Sequence, residues 1–210
     1  MSKTILFLDT ETTGLPSNWK APYDQWPRMV SLAYQLTGTS YVEENEFIIR
    51  PDGYEIPKEA SDIHGITTEI AIEKGVDLQM VLIKLWSLIE LADRIVFHNA
   101  SFDVGIIAGE QIRFNHRPLS SIMFKEKIFC TKQQSTNICK IPGNMGYKWP
   151  SLAELCAFCG VENKGAHNAL NDVIATKECY FYLVEQGYFK CLFHTECTWG
   201  CLFRQPFFIP

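Results

Sequence analysis

The chain has no apolar run near the ~20 residues a membrane-spanning helix requires, which removes integral membrane proteins of that type from consideration. Its first ten residues, MSKTILFLDT, lack the long apolar core of a secretory signal, so an intracellular, cytoplasmic protein is expected. No internal repeat, low-complexity tract or Pro/Gly/Ser-rich linker interrupts the 210 residues. That absence argues against an array or a multi-domain chain, and leaves one domain with a sizeable core followed by a short tail. There is no excess of positive charge either: the formal net charge is −5, which speaks against a protein coated in nucleic acid over its whole surface. What remains is ordinary globular composition, 47% hydrophobic and 20% charged.

Cysteine is not scarce. All eight cysteines lie between Cys130 and Cys201, and without a secretory signal they read as reduced thiols rather than a disulfide framework. Cys156 and Cys159 have C-x-x-C spacing, but the segment SLAELCAFCG surrounds them with apolar residues at helical intervals, so both read as small core residues. A zinc site would have to be built in the tail, from Cys191, His194, Cys197 and Cys201.

The charge is unevenly distributed. From Gln111 to Pro150 seven basic residues face one acid, Glu126, giving this segment +6 and the remainder −11. A basic sector on an acidic body suits contact with a polyanion over one limited face, or equally a solvated surface.

Hydrophobic patterning predicts strands over 4–11, 28–36 and 46–50, the last two as antiparallel neighbours. A short helix is expected over 58–67, stopped by Gly65, and a longer one over 77–92 with Asp77 as N-cap. A strand over 94–99, a helix over 101–112, a helix capped by Ser151 and a long helix over 169–187 follow. Strands first, then strands alternating with helices, specify an α/β class with a mixed sheet flanked by helices. The proline- and tryptophan-rich stretch PSNWKAPYDQWP reads as an ordered loop.

The first strand poses the functional question. ILFL is apolar on both faces, yet the strand ends in Asp9 and Glu11, which point the same way because residues two apart share a face. Burying such charges costs several kcal/mol unless something compensates them. Asp103 follows the strand RIVFHN at the start of a helix, where functional groups of α/β sheets gather. Asp172 lies in the first turns of the last long helix, five residues after His167. Four carboxylates at three element boundaries suggest a cation site. All-oxygen ligands suit Mg²⁺ or Mn²⁺, and two such ions can stabilise both the attacking and the leaving oxygen of a phosphodiester displacement.

In this order the segments FLDTETTGL, FHNASFDVGII and HNALNDVIAT resemble the three motifs of the DEDDh (DnaQ-like) 3′–5′ exonucleases, a family typified by polymerase proofreading subunits. IHGIT and YKWPSLAEL also match recurrent segments of that family, and the resemblance spans roughly residues 4–186. It implies an RNase H-like fold and an exonuclease domain over 1–187, with 188–210 a tail of unknown role. It implies Asp9, Glu11, Asp103 and Asp172 as ligands of two Mg²⁺ ions, with Mn²⁺ able to substitute, and His167 as general base. For substrate, it implies that the Thr12 and Thr13 backbones meet the terminal 3′-hydroxyl, that Leu15 and Ile66 pack on the terminal nucleotide, and that Phe102 packs on the next sugar. His64, His98 and Asn99 are expected to hold loops by hydrogen bonding. FCTKQQS departs from the family, many of whose members carry an Asp-Thr pair there.

The expected activity is removal of nucleoside 5′-monophosphates from the 3′ end of DNA, single-stranded in the first instance, in proofreading or DNA repair. RNA or oligonucleotide trimming is the alternative within nucleases, since the motifs do not fix contacts to the 2′-position. A non-catalytic nucleic-acid or polymerase-binding module is the alternative outside them, and a DNA polymerase or replication partner is compatible with either. The final RQPFFIP has a loose likeness to a clamp-binding peptide.

Overall fold

The computed structural model describes residues 3–38, 42–115, 125–163, 165, 168–190 and 192. A five-stranded sheet in the order β3-β2-β1-β4-β5 organises them. β1 (Ile5–Thr12) lies at its centre, antiparallel to β2 (Met29–Thr37), which is in turn antiparallel to β3 (Val42–Ile48). After helices α1 (Lys58–His64), α2 (Thr68–Lys74) and α3 (Leu78–Leu91), the chain returns as β4 (Arg94–Phe97), parallel to β1. Helix α4 (Ala100–Asn115) follows, then β5 (Ile128–Cys130), parallel to β4, and α5 (Thr131–Cys139). A two-stranded hairpin, β6 (Pro142–Gly143) and β7 (Gly146–Tyr147), precedes α6 (Leu152–Cys159) and α7 (Ala169–Glu185). This is the mixed sheet with flanking helices that the pattern predicts.

The centre of the sheet explains why β1 is apolar on both faces. Leu6 and Leu8 point into a core with Val81, Leu82, Leu85, Leu88 and Ile89 of α3 and Ile106 and Ile107 of α4. Ile5 and Phe7 point the other way, into a second core with Leu155 and Cys156 of α6 and Val173, Cys179, Tyr180 and Leu183 of α7. Each such buried side chain contributes ~1.5–3 kcal/mol, so the strand that carries the candidate site is anchored in both cores. Asp77 caps α3 by accepting the Gln79 N–H, and Ser151 with Glu154 forms a reciprocal capping box on α6.

Some elements differ from the expectation. β3 begins at Val42 and ends at Ile48, whereas EFIIR places it over 46–50. As an edge strand it is half solvated, so Glu43, Glu44 and Glu46 are tolerated within it, and Ile49 leaves to bridge Val76. β5 has three residues, too few for a periodicity, and α5 buries only Thr131 and Ser135, so no apolar stripe announces it. Cys156 and Cys159 are buried core residues, as their spacing indicates, and Cys130, Cys139, Cys156, Cys159 and Cys179 are free thiols. Packing continues past Gly187: Phe189 is buried against Phe129 at 4.9 Å between ring centroids. The tail's cysteines and RQPFFIP, with the zinc and clamp readings placed on them, lie outside the described residues. No helix among the described residues is long and apolar enough to cross a membrane.

Candidate active site

Asp9 and Glu11 continue the face of β1 that carries Ile5 and Phe7, so they emerge where α7 begins. Asn168 caps α7 by accepting the Asn171 N–H, which sets Asp172 in the helix's first turn, facing the end of β1. One carboxylate oxygen from each of Asp9, Glu11 and Asp172 falls within 4.8 Å of the others, and all three side chains are partly buried. The donor set is all oxygen and can hold a divalent cation of the hard class.

Asp103 arrives from the other side. β4 ends at Phe97 while β1 runs on to Thr12, leaving the end of β1 open beside the first turn of α4. Thr10, on the face opposite Asp9, donates its hydroxyl to Asp103 Oδ1 at 2.8 Å. Asp103 is only 2% exposed. It sits outside the three-oxygen group, yet its charge acts strongly on Asp9.

Burial and mutual repulsion act on these carboxyls together. Burial, then the charges of Asp103, Asp172, Glu11 and Glu46, push the Asp9 carboxyl well above its ordinary range. Burial followed by Asp172, Glu46 and Asp103 pushes Glu11 up to about 8. Asp103 rises to about 7 through burial, against the hydrogen bonds from Thr10 and the charge of Lys132. Protons or cations must satisfy such a cluster, and at neutral pH a divalent ion does so with less repulsion left over.

Glu46 is the residue that the sequence did not single out. In the strand register Asp9 faces Ala33 and Ala33 faces Glu46, so the three lie in one row across the sheet with only a methyl group between the acids. Glu46 Oε2 accepts a hydrogen bond from the Asn168 side chain at 3.3 Å. It therefore links the edge strand to the cap of the helix that carries Asp172. Only the β2–β3 pairing reveals this, because Glu46 is 37 positions from Asp9 in the chain.

His167 lies outside the described residues, directly before the cap Asn168. Leu15 is 74% exposed just beyond the two acids. The Thr13 N–H is donated to the Arg28 carbonyl at 3.0 Å, and the Thr12 hydroxyl to the Gly14 carbonyl at 2.7 Å. Ile66 is buried in a small cluster with Val30, Ile56 and Ala60, held by its N–H to His64 Nδ1 at 3.1 Å. Phe102 is partly buried under the tryptophan-rich loop, with ring centroids 6.1 Å from Trp19 and 6.5 Å from Trp26. That loop is ordered, as its composition indicates. Trp26 and the Tyr23 carbonyl press against α4 where Gly105 and Gly109 have no side chain to obstruct them. Buried Glu110 then clamps the loop through Arg28 Nε at 2.9 Å, Arg113 Nη1 at 3.0 Å and the Met29 N–H at 2.8 Å.

His98 does hold a loop, whereas Asn99 opens helix α4 through its backbone carbonyl. The Asn99 carbonyl accepts the Phe102 N–H at 2.9 Å. The His98 ring contacts the Thr131 hydroxyl at 3.0 Å, and its carbonyl accepts the Lys132 N–H at 3.1 Å. Burial, aided by Lys132, depresses its pKa to about 4, so the ring is neutral at physiological pH. Thr131, in the segment FCTKQQS, serves as His98's partner.

No curated protein sequence matches the chain. Among solved structures, E. coli exonuclease I in complex with a dT13 oligonucleotide matches 87% of this chain and 41% of its own, at 23% identity and a TM-score of 0.67. The zinc-bound form of the E. coli exonuclease I–ssDNA complex matches 89% of this chain and 41% of its own, at 24% identity and a TM-score of 0.68. A product-bound exonuclease I matches 88% and 44%, at 21% identity and a TM-score of 0.68. The chain therefore spans less than half the length of these proteins, and the likeness establishes the shared RNase H-like fold. A family model described as exonuclease matches residues 6–180, which contain all four carboxylates. On that match the chain belongs to the RNase T exonuclease family.

Proposed function

We propose that the protein is a Mg²⁺-dependent 3′–5′ exonuclease that removes nucleoside 5′-monophosphates from single-stranded DNA. The observation that carries this is the convergence of Asp9, Glu11 and Asp172 oxygens within 4.8 Å at the end of an otherwise apolar strand. The binding of single-stranded DNA by the structural neighbours supports the choice of substrate. Asp9, Glu11, Asp103 and Asp172 would hold two ions, which when bound supply the positive charge that polarises the phosphodiester and stabilises its attacking and leaving oxygens.

The chain's own residues do the rest. His167 takes a proton from the attacking water as the P–O3′ bond breaks, and the shortened strand leaves with its 3′-oxygen. An imidazole is suited to this because its ordinary pKa, about 6.5, lies near neutrality. Leu15, Ile66 and Phe102 give apolar support to the terminal nucleotide and its neighbour, with the Thr12 and Thr13 backbones at the 3′-hydroxyl. Thr10 fixes Asp103, and Glu46 fixes the cap of α7, so the carboxylates are placed before substrate arrives. The free thiols suit the reducing cytoplasm to which we assign the protein.

The test is digestion of 5′-labelled and 3′-labelled single-stranded DNA, duplex DNA and RNA in Mg²⁺. A descending ladder from the 5′-labelled strand, with the label of the 3′-labelled strand released first as a mononucleotide, is expected, fastest on single-stranded DNA. Internal cuts, or no nucleotide released, would refute the reading.

A further inference from the structure

Lys132 lies at the start of α5, inside the basic sector, and forms no ion pair with a described carboxylate. Its ammonium instead sits 5.8 Å from the ring centroid of Trp149, a large aromatic side chain left 56% exposed. Neither residue belongs to the carboxylate site, but both are fixed to the segment that carries it. The His98 carbonyl accepts the Lys132 N–H, and the His98 ring, bonded through Nδ1 to Thr131, lies close to the backbone of Pro150, next to Trp149. Five residues beyond His98 is Asp103, whose carboxyl feels the charge of Lys132. The pair therefore borders the candidate site on the side of β4. A buried framework holds it there, because Pro150, His98 and Thr131 are all buried. The adjoining hairpin leaves Tyr147 half exposed, and its only described ion pair is Lys148 with Glu154 at 2.5 Å.

An unpaired ammonium beside an exposed indole is the combination that single-stranded nucleic acid uses: a cation for a phosphate and an aromatic face that stacks any base. We propose that Lys132 and Trp149 form an accessory subsite for the DNA strand, Trp149 stacking a base and Lys132 meeting a phosphate away from the scissile bond. This rests on the exonuclease reading above, and it gives part of the basic sector a specific role. It also commits the surface to nucleic acid rather than to a protein partner, since nothing in an exposed indole with an adjacent cation selects a peptide over a stacked base.

The experiment is anisotropy of a labelled oligo-dT, on the order of the 4–16 nucleotides such a groove covers, with full-length protein carrying Asp9→Asn to prevent digestion. Trp149→Ala in that background should raise Kd roughly 5- to 100-fold, and Trp149→Phe should restore most of the loss. Lys132→Ala should make the dependence of log affinity on log salt shallower by about 0.7, the contribution of one phosphate contact to a single strand. Trp149→Ala should leave that slope in place. A Trp149→Ala Kd within twofold of its parent, or an unchanged salt slope in Lys132→Ala, would overturn the subsite while leaving the nuclease reading standing. Wild-type protein that releases no nucleotide, with a parent that binds no oligomer, would remove both.

Discussion

Chelation should destabilise the fold in a pH-dependent way, and divalent metal should reverse the direction of that dependence. Glu11, at about 8, and Asp103, at about 7, hold protons in the folded protein that the unfolded chain loses at ordinary carboxyl values. The folded state then binds more protons than the unfolded state between about pH 4.5 and 8, so stability is fully present below that window and falls as pH rises through it. One retained proton costs about 1.4 kcal/mol for each pH unit, so from pH 5 to 8 the loss from Glu11 alone approaches ~4 kcal/mol. Partial exposure of Glu11 and the sharing of protons within the cluster bring this nearer ~2 kcal/mol. At ~2–4 °C per kcal/mol for a chain of this size, the melting point in EDTA should drop by roughly 4–8 °C over that range. A cation needs the carboxylates ionised, so its contribution grows with pH. At a hundredfold excess over Kd it adds ~2.7 kcal/mol, which offsets the loss at pH 8. The assay is a set of melting curves at pH 5, 6.5 and 8 with EDTA, Mg²⁺ or Mn²⁺, for wild type, Glu11→Gln and Asp172→Asn. Both variants should melt higher than wild type in EDTA at pH 8 and gain less from metal. A chelated melting point that is flat with pH, or equal metal shifts in all three proteins, would mean that the carboxylates are neither the repelling cluster nor the metal site.

Asp9→Asn keeps the size of the side chain but removes the charge at the centre of the group, and should abolish nucleotide release; a tenth of wild-type turnover in Mg²⁺ would defeat the assignment. His167→Ala should lower turnover by ~10²–10⁴ with oligonucleotide affinity nearly intact, and weak binding at unchanged turnover would make the histidine a substrate contact instead. Gly109→Ala places a methyl group against the Tyr23 carbonyl. The clash should cost ~1–3 kcal/mol, more than the ~1 kcal/mol that alanine adds to a helix, so a variant that melts at or above wild type would show that the loop simply moves aside. Glu110→Ala removes a buried carboxylate shared by Arg28, Arg113 and the Met29 amide; a loss of ~3–5 kcal/mol in chemical denaturation is expected, and a loss below 1 kcal/mol would show that the loop is not clamped through it.

Local periodicity explains which parts of this arrangement were visible in the chain. Asp9 and Glu11 share a face because a strand alternates, and Asp172 sits in a first helical turn because Asn168 caps it, so their meeting needs only the knowledge that α7 covers that face of β1. The stripe from Val81 to Ile89 was legible for the same reason, with one helix and one period. Asp103 was visible as a residue but not as a position. Its approach from the opposite face, fixed by the Thr10 hydroxyl, depends on β4 being shorter than β1, and no local pattern encodes a difference in strand length. Glu46 was hidden more deeply, since its place beside Asp9 follows from two strand registers in succession, and a shift of one residue in either would turn it to the other face. The tryptophan-rich loop marks the same boundary from another direction. Its aromatics announce an ordered segment, but where it docks is decided by Gly105 and Gly109 on a helix some 80 residues later, by what those two positions lack. Helix α5 shows no stripe at all because its task is to present Thr131 and Lys132 to His98, and two polar contacts leave no hydrophobic trace. The chemistry of the centre was therefore readable from residue types at element ends, whereas the groups that hold and extend it become apparent only once the sheet has fixed its registers.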